Sequence, residues 1–482
     1  MHHIDYRRQV ILPCFFLLVI FHFACKKIVN VKPPVQTITS GQVFADSTQS
    51  AGAINGIYTR LAKGSLSFGL GFGNSFTTIL AGYSADELVP TFAGDFGDLF
   101  YRNLLIADNS TSPLWTEAYP IIYQTNACIE GLEQSTTISS TARDLMIGES
   151  KFLRAFCYFY IVNFFGEIPL ITSTAWQQTQ KTPKSSINDI YKQIEKDLLE
   201  ASTKLRSDYS ISSNERIRAN QAAANALLAR LYLYTNKWEE ASNTSSLLIN
   251  NNVLFSLNQD LNQVFSVNNS EAILQWNKNP TIDPYNVLTE GIFFLPYPDA
   301  SSPPFNQVSD QLLNSFEADD LRKVSWIKTD TFYNFPYTYP FKYKVGFGDR
   351  QLGAPVTEQY VVLRLAEQYL IRAEALAHLN QLSEAVNDLN IIRNRAGLPS
   401  LPDNLDQAAV LQAVEDERRH ELFLEWGHRW FDLKRTGRVD AVMSVVTPLK
   451  NGGKPWSSHQ QYYPIPLDEL SRNPFLSPTP GY

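Results

Sequence analysis

Residues 417–437 read Glu-Arg-Arg-His-Glu-Leu-Phe-Leu-Glu-Trp-Gly-His-Arg-Trp-Phe-Asp-Leu-Lys-Arg-Thr-Gly, a run in which acids, bases and aromatic rings alternate densely. Two chemistries fit it. Glu421, Glu425, Asp432, His420 and His428, lodged among Trp and Phe, would have perturbed proton affinities and act as acids, bases or metal ligands. Alternatively, guanidiniums and carboxylates pair into a lattice that fixes a helix corner, with Arg418, Glu421, Glu425, Arg429, Trp430 and Asp432 as its structural members. Spacing excludes a zinc-protease site, because His420-Glu421-Leu422-Phe423-Leu424 has Leu where the second histidine ligand must stand one turn on. Charged residues at helical spacing are usually paired groups, which favours the lattice.

The element carrying this run reads as a helix. Val410, Val414, Leu422 and Trp426 fall at four-residue steps or multiples of them and share a core-facing side, with Arg418 at the step between. Glu415 and Arg419 stand at i and i+4 in the favourable order for an ion pair; Glu421 and Glu425 stack, with Arg429 one step further. Gly427 reads as the left-handed residue that ends the helix, and a short helical segment over residues 429–435 then stops at Gly437.

At 482 residues and 44% hydrophobic, the chain can bury a large core. A net charge of -7 without basic clusters argues against nucleic acid, whose binding rests on Lys and Arg neutralising phosphates. Tyr and Phe dominate the 12% aromatic content, which suggests a partner met by flat apolar faces in addition to core packing. Arg7 and Arg8 followed by an apolar run from Val10 to Ala24 form an export signal over residues 1–24. That run is too short for a spanning helix and is interrupted by His22. Ala24-Cys25 resembles the end of a bacterial lipobox, although His22 and Phe23 depart from its usual residues, and several acyl chains on Cys25 would hold the protein at a bilayer. Cys128 and Cys157 lie among apolar neighbours in helix-like sequence and read as buried small hydrophobes. No metal, cofactor or redox centre is expected.

Helical patterns cover residues 47–61, 114–132, 141–165 and 187–205, then a pair at 220–234 and 238–249 whose Ala224, Leu228, Leu231, Ala241 and Leu248 alternate small and large, like a tetratricopeptide unit. A second pair spans 358–379 and 382–396. The fold class is therefore all-α: tetratricopeptide-like helix pairs forming an α-α superhelix, with long loop insertions and a few short strands. Gly69-Leu70-Gly71-Phe72-Gly73 lacks the later glycine and preceding strand of a dinucleotide fingerprint and reads as a loop. Residues 251–356 are rich in Pro and aromatics, with strand-like runs at 272–276 and 341–345, and separate a helical part over 25–250 from another over 357–482.

Several passages together resemble the SusD/RagB family of outer-membrane nutrient-binding lipoproteins of Gram-negative bacteria. They are Cys25-Lys26-Lys27, Ala53-Ile54-Asn55-Gly56-Ile57-Tyr58, Glu149-Ser150-Lys151-Phe152-Leu153-Arg154-Ala155, Phe164-Phe165-Gly166-Glu167-Ile168-Pro169-Leu170, Leu363-Arg364-Leu365-Ala366-Glu367, Arg393-Asn394-Arg395-Ala396-Gly397-Leu398, the 417–437 run and Tyr463-Pro464-Ile465-Pro466. Near the end, Ser477-Pro478-Thr479 stands where the family commonly shows a Gln-Asn pair. The resemblance implies a lipid anchor at Cys25, exposure at the cell surface, a SusC-type TonB-dependent transporter as partner, and a glycan or other nutrient as ligand, with no catalysis.

A glycan offers an apolar C–H face rimmed by hydroxyls, so its receptor needs exposed aromatic plates beside planar polar groups. Two loop regions offer them: Phe68, Phe72, Asn74, Phe76, Tyr83, Asp86, Glu87, Phe92, Asp95 and Phe96 in the first, and Trp276, Asn277, Tyr285, Tyr297, Trp326, Tyr333, Tyr337 and Tyr339 in the second. Of these, Phe72, Asn74, Tyr83, Asp86, Phe92, Trp276, Tyr333 and Tyr337 are the candidate ligand contacts. Two other functions stay open at this point. A glycoside hydrolase would use Asp86 with Glu87 or Asp95 as paired carboxylates across a cleft; a helical scaffold would bind proteins alone.

Overall fold

The computed structural model describes residues 40–63, 71–94, 97–297 and 302–482. The export signal and Cys25 lie outside them, as do Phe68, Asp95 and Phe96. Helices of eight residues or more are α1 (Ser47–Leu61), α2 (Ser75–Ser84), α3 (Ser112–Gln134), α4 (Ser140–Phe165), α5 (Ile187–Lys204), α6 (Gln221–Tyr234), α7 (Trp238–Ile249), α8 (Leu365–His378), α9 (Leu382–Arg395), α10 (Gln407–Leu422), α11 (His428–Arg435) and α12 (Val439–Lys450). Side-chain caps set several starts. Asp46 accepts from the Gln49 amide at 2.9 Å, Asn220 from Ala223 at 2.9 Å and Asp406 from Ala409 at 2.8 Å.

From α3 to α10 each helix packs on the next, and this continuity holds even where the chain interrupts it. After Ile249 the chain leaves the stack, and on returning at Leu365 it lays α8 against α7, the position the superhelix had left open. The fold is thus helical and tetratricopeptide-like, with short strands set beside it. Cys128 and Cys157 are both buried free thiols.

Among the described residues, four two-stranded antiparallel sheets stand beside the helices. β1 (Leu88–Pro90) pairs with β5 (Asn306–Val308), β2 (Ile168–Pro169) with β3 (Lys184–Ser185), β4 (Ala272–Trp276) with β8 (Tyr360–Arg364), and β6 (Ile327–Phe332) with β7 (Phe335–Pro340). Two expectations change here. Residues 360–364, read as part of a helix, form β8, because Tyr-Val-Val-Leu is buried along its whole length and its β-branched residues suit a pleated ladder. Residues 341–345, read as a strand, form none; Lys342 and Lys344 turn inward there instead.

Candidate functional site

The 417–437 run folds as helix, corner and helix. α10 ends at Leu422, four residues before Trp426, and the corner passes through Leu424, Trp426 and Gly427, all at positive φ. The expected Glu415–Arg419 pair does not form. Arg419 reaches Asp86 at 2.7 Å, and Glu415 takes Arg429 and Arg438 at 3.2 and 3.0 Å. Distant chain supplies the other partners. Arg364, at the end of β8, donates to Glu425 at 2.7 Å, Glu271 at 2.9 Å and Glu421 at 2.5 Å. Arg395 bridges Glu271 at 2.7 Å and also reaches Glu421, while Arg322 bridges Glu417 at 2.8 Å, Asp320 at 2.7 Å and Glu421 at 3.4 Å. Lys342 lies 2.5 Å from Glu425 and 4.1 Å from the Phe423 ring centroid. Arg418 holds Asp432 at 2.8 Å, and Trp430 is fully buried. Burial alone would raise the Glu421 carboxyl, but Arg395, Arg364 and Arg322 outweigh it and hold it well below the usual range. A carboxylate so fixed neither accepts nor releases protons near neutrality. The run is a structural lattice.

What the lattice positions is a pair of aromatic surfaces. Arg322 stands in the short helix Leu321–Trp326 that leads into β6, and Lys342 stands two residues after β7, so both feet of the β6–β7 hairpin are tied to the corner. The turn residues Tyr333 and Asn334 both have positive φ, 52° and 66°, as primed two-residue hairpin turns require. A tyrosine held left-handed is uncommon, and here the two-residue turn requires it. Tyr333 and Phe335 are each 65% exposed at the tip; Tyr337, half-buried, meets Phe332 edge to face at 5.7 Å.

Beside the hairpin, with β7 lying along β5, runs a ledge of rings. The β1–β5 ladder and a bond from Thr91 N–H to the Phe305 carbonyl at 2.9 Å bring the two loop regions together. Phe92, 43% exposed, meets Phe305 edge to face at 6.1 Å. Phe305 touches Tyr297 at 6.5 Å, Tyr297 meets Phe347 at 4.8 Å, and the Arg350 guanidinium lies 3.5 Å from the Phe347 ring centroid. Asn286, whose side-chain oxygen accepts from the Gln351 amide at 2.6 Å, adds a planar polar group close to Arg350. Beneath the ledge Gly291 lets the short helix Thr289–Phe294 approach the turn before Phe347: a Cβ there would stand 2.0 Å from the Val345 carbonyl oxygen.

Of the eight candidate contacts, Phe92, Tyr333 and Tyr337 reach these surfaces. The other five are inside the protein. Phe72 packs edge-on against Phe156 and Tyr160 at 6.4 and 6.2 Å. Asn74 caps α2 and donates to the Lys63 carbonyl at 2.5 Å. The Tyr83 hydroxyl donates to Asn306. Asp86 is clamped by Arg429 at 2.8 Å and by Arg419. Trp276, 1% exposed, packs against Tyr58 and Phe156 at 5.7 and 5.4 Å, because β4 is buried on both faces. Asp86 and Glu87 do not flank an open cleft. Burial would raise the Asp86 carboxyl, yet Arg429 and Arg419 hold it at about 2; burial, with the Asp86 charge adding, pushes Glu87 up to about 8. Phe305, Phe347 and Arg350 were not picked out from the sequence. The one local signal was Gly346-Phe347-Gly348, a ring set between two glycines in a polar stretch.

Comparisons with known proteins fit this architecture. Residues 314–482 match the model of the SusD family, and residues 98–233 match a family described as starch-binding associating with outer membrane. The chain is 25% identical to SusD-like protein P25 of Formosa agariphila, over 96% of each chain. A 124-residue stretch is 34% identical to the starch-binding protein SusD of Bacteroides thetaiotaomicron, covering 25% of this chain and 21% of that one. A SusD superfamily crystal structure from Bacteroides vulgatus superposes with a TM-score of 0.78 at 24% identity, covering 91% of this chain and 100% of that one. A laminarin binding SusD-like protein gives 0.71 at 24% identity over 90% and 99%.

Proposed function

Since the chain belongs to the SusD/RagB family, we propose that it is a non-catalytic receptor that binds a glycan on the aromatic ledge and hairpin. The carrying observation is the run Phe92, Phe305, Tyr297, Phe347 with Arg350 and Asn286 beside it. Half-exposed rings present flat apolar faces to sugar C–H groups, and the guanidinium and amide meet the hydroxyl rim. The names of its relatives, starch-binding and laminarin binding among them, support a glycan as the first ligand class to test.

In a screen of soluble β-glucans, starch fragments and other polysaccharides, one ligand is expected to bind the parent and to bind Phe92→Ala and Phe347→Ala about tenfold more weakly each, the scale of losing one stacking ring. Calorimetry with the ligand found reads this. Unchanged affinity in both variants would remove the ledge as the binding face.

The reading extends to location and partner. Acylated at Cys25, the protein would stand on the outer membrane and pass its ligand to a SusC-type TonB-dependent transporter. The family description of outer-membrane association supports this placement. Cys25→Ala is expected to move the protein from the membrane fraction to the soluble fraction after cell lysis, as fractionation and immunoblotting would show. Retention of the variant in the membrane would count against the anchor.

A further inference from the structure

A groove of about 710 Å³ runs along α3 and shares no lining residue with the ledge or the hairpin. Trp115, Tyr119 and Tyr123 stand on its α3 wall at four-residue steps. Trp115 is buried at the base, edge-on to Phe165 at 5.2 Å and 4.6 Å from the Tyr119 ring. The Tyr119 hydroxyl donates to the Pro169 carbonyl at 2.9 Å, which fixes that ring, and Tyr123 is 54% exposed. Pro120, inside α3, has no N–H for the Thr116 carbonyl four residues earlier, and both residues line the groove. The wall that carries the tyrosines therefore also holds an apolar ring and a carbonyl without its helical donor.

The facing wall is polar. Asn473, just after the short helix Leu467–Arg472, donates to the Thr182 carbonyl at 2.9 Å and accepts from the Phe475 amide at 3.0 Å. Both bonds set the plane of its side chain, and one amide hydrogen remains to offer. The exposed Gln180 adds a second planar amide. Tyr123 is shared with a further hollow of about 450 Å³, which continues along α3 past Ala127 to Gln134.

Other occupants fit less well. The only charged residues lining the groove, Glu469 and Arg472, pair with each other at 2.8 Å, and Asp468 stands 3.8 Å from the same guanidinium. Glu130, the only charged residue lining the further hollow, accepts from the Thr174 amide at 2.9 Å and from its hydroxyl. An anion finds no free cation. An extended peptide would need a strand edge, but the backbone of the floor is already used: Tyr119 takes the Pro169 carbonyl, and Tyr158 and Asn126 take the polar groups of Ile171.

We propose that this groove is a second binding site for a neutral glycan chain, its rings lying along Tyr119 and Tyr123 and its hydroxyls meeting Asn473 and Gln180. Fixed aromatic faces suit sugar C–H groups, and uncharged planar amides suit the hydroxyl rim. Two hollows that meet at Tyr123 fit a chain of sugars better than a single ring. The site does not depend on the ledge, so the two can be tested apart.

Native gels containing starch, laminarin, xylan or galactomannan test this, with Phe92→Ala/Phe347→Ala as the background that removes the ledge. At least one of these polysaccharides is expected to retard the background protein. Adding Tyr123→Ala or Gln180→Ala, both at exposed positions, should raise the Kd read from retardation about tenfold each with the thermal midpoint kept. Four results would overturn the assignment: no retardation of the background protein by any of the four, retardation unchanged by both added substitutions, equal retardation by polygalacturonate or chitosan, or a dimer in ultracentrifugation that Tyr123→Ala dissociates. A background protein retarded as strongly as the parent, with Tyr123→Ala abolishing the effect, would count against the ledge and not against the groove.

Discussion

An Arg364→Met protein is expected to unfold with about 3–5 kcal/mol less free energy than its parent, read as a lower denaturant midpoint by tryptophan fluorescence. Methionine keeps the apolar stem but removes the donors that Glu271, Glu421 and Glu425 share. All three carboxylates are buried, so the loss falls on charges that water cannot reach. Removing one partner of such a network costs more than the pairs contribute over an apolar core of the same volume. Adding Glu425→Met to Arg364→Met is expected to lower the midpoint further, because it takes the carboxylate partner at 2.5 Å from the buried Lys342 ammonium. An unchanged midpoint in Arg364→Met would mean that the lattice has no net weight in the fold.

The same network ties the two aromatic surfaces to the scaffold. Arg322 and Lys342 hold the two feet of the hairpin, and Asp86, two residues before β1, is gripped by Arg419 and Arg429 of the corner. β1 in turn pairs with β5, whose neighbour Phe305 stands on the ledge. Conformation at both aromatic surfaces therefore rests on buried charges belonging to the 417–437 run.

Local periodicity made the amphipathic helices legible. The bounds of α1 and α7 match the residues expected, and those of α4, α5, α6 and α9 agree within a residue. α2 escaped because all ten of its residues are buried, so it has no polar face and shows no 3.6-residue alternation. Long-range pairing was the other blind spot. Asp86 looked like a loop carboxylate free for a ligand until Arg419 and Arg429, more than 330 positions on, were brought beside it. Glu415 and Arg419 looked like partners because helical spacing allows it, yet each found a better-placed charge elsewhere. Trp276 looked exposed beside Asn277, but a helix core covers one face of β4 and β8 its edge. Phe92, Tyr333 and Tyr337 came out at the surface because each stands just beyond or within a short ladder that leaves side chains to solvent.

Beneath the ledge a buried carboxyl should make stability fall as pH rises from about 4.5 to about 8. Glu290 sits in the helix Thr289–Phe294, which also carries Phe293 against Phe305 at 5.7 Å, and one of its oxygens is buried without a hydrogen-bond partner among the described residues. Burial, with Glu358 adding, pushes its carboxyl up to about 8. The folded protein therefore keeps a proton that the unfolded chain releases near pH 4.5. Its stabilising contribution is complete below that value, declines as pH rises, and is gone once pH passes about 8. Linkage converts a displacement of this size into roughly 3–5 kcal/mol across the interval. Asp86 works in the opposite sense and much lower, losing its contribution only as pH falls through the ordinary carboxylate range toward about 2. Glu290→Gln keeps the shape and removes the titration. Between pH 5 and 9 the parent's unfolding free energy should fall relative to the variant's, because Glu87, held at about 8, and Lys434 and Lys450, lowered by burial to about 7, titrate alike in both proteins. Denaturant midpoints measured at each pH for both proteins decide it: parallel curves would show that Glu290 ionises in the folded protein as freely as in the unfolded chain.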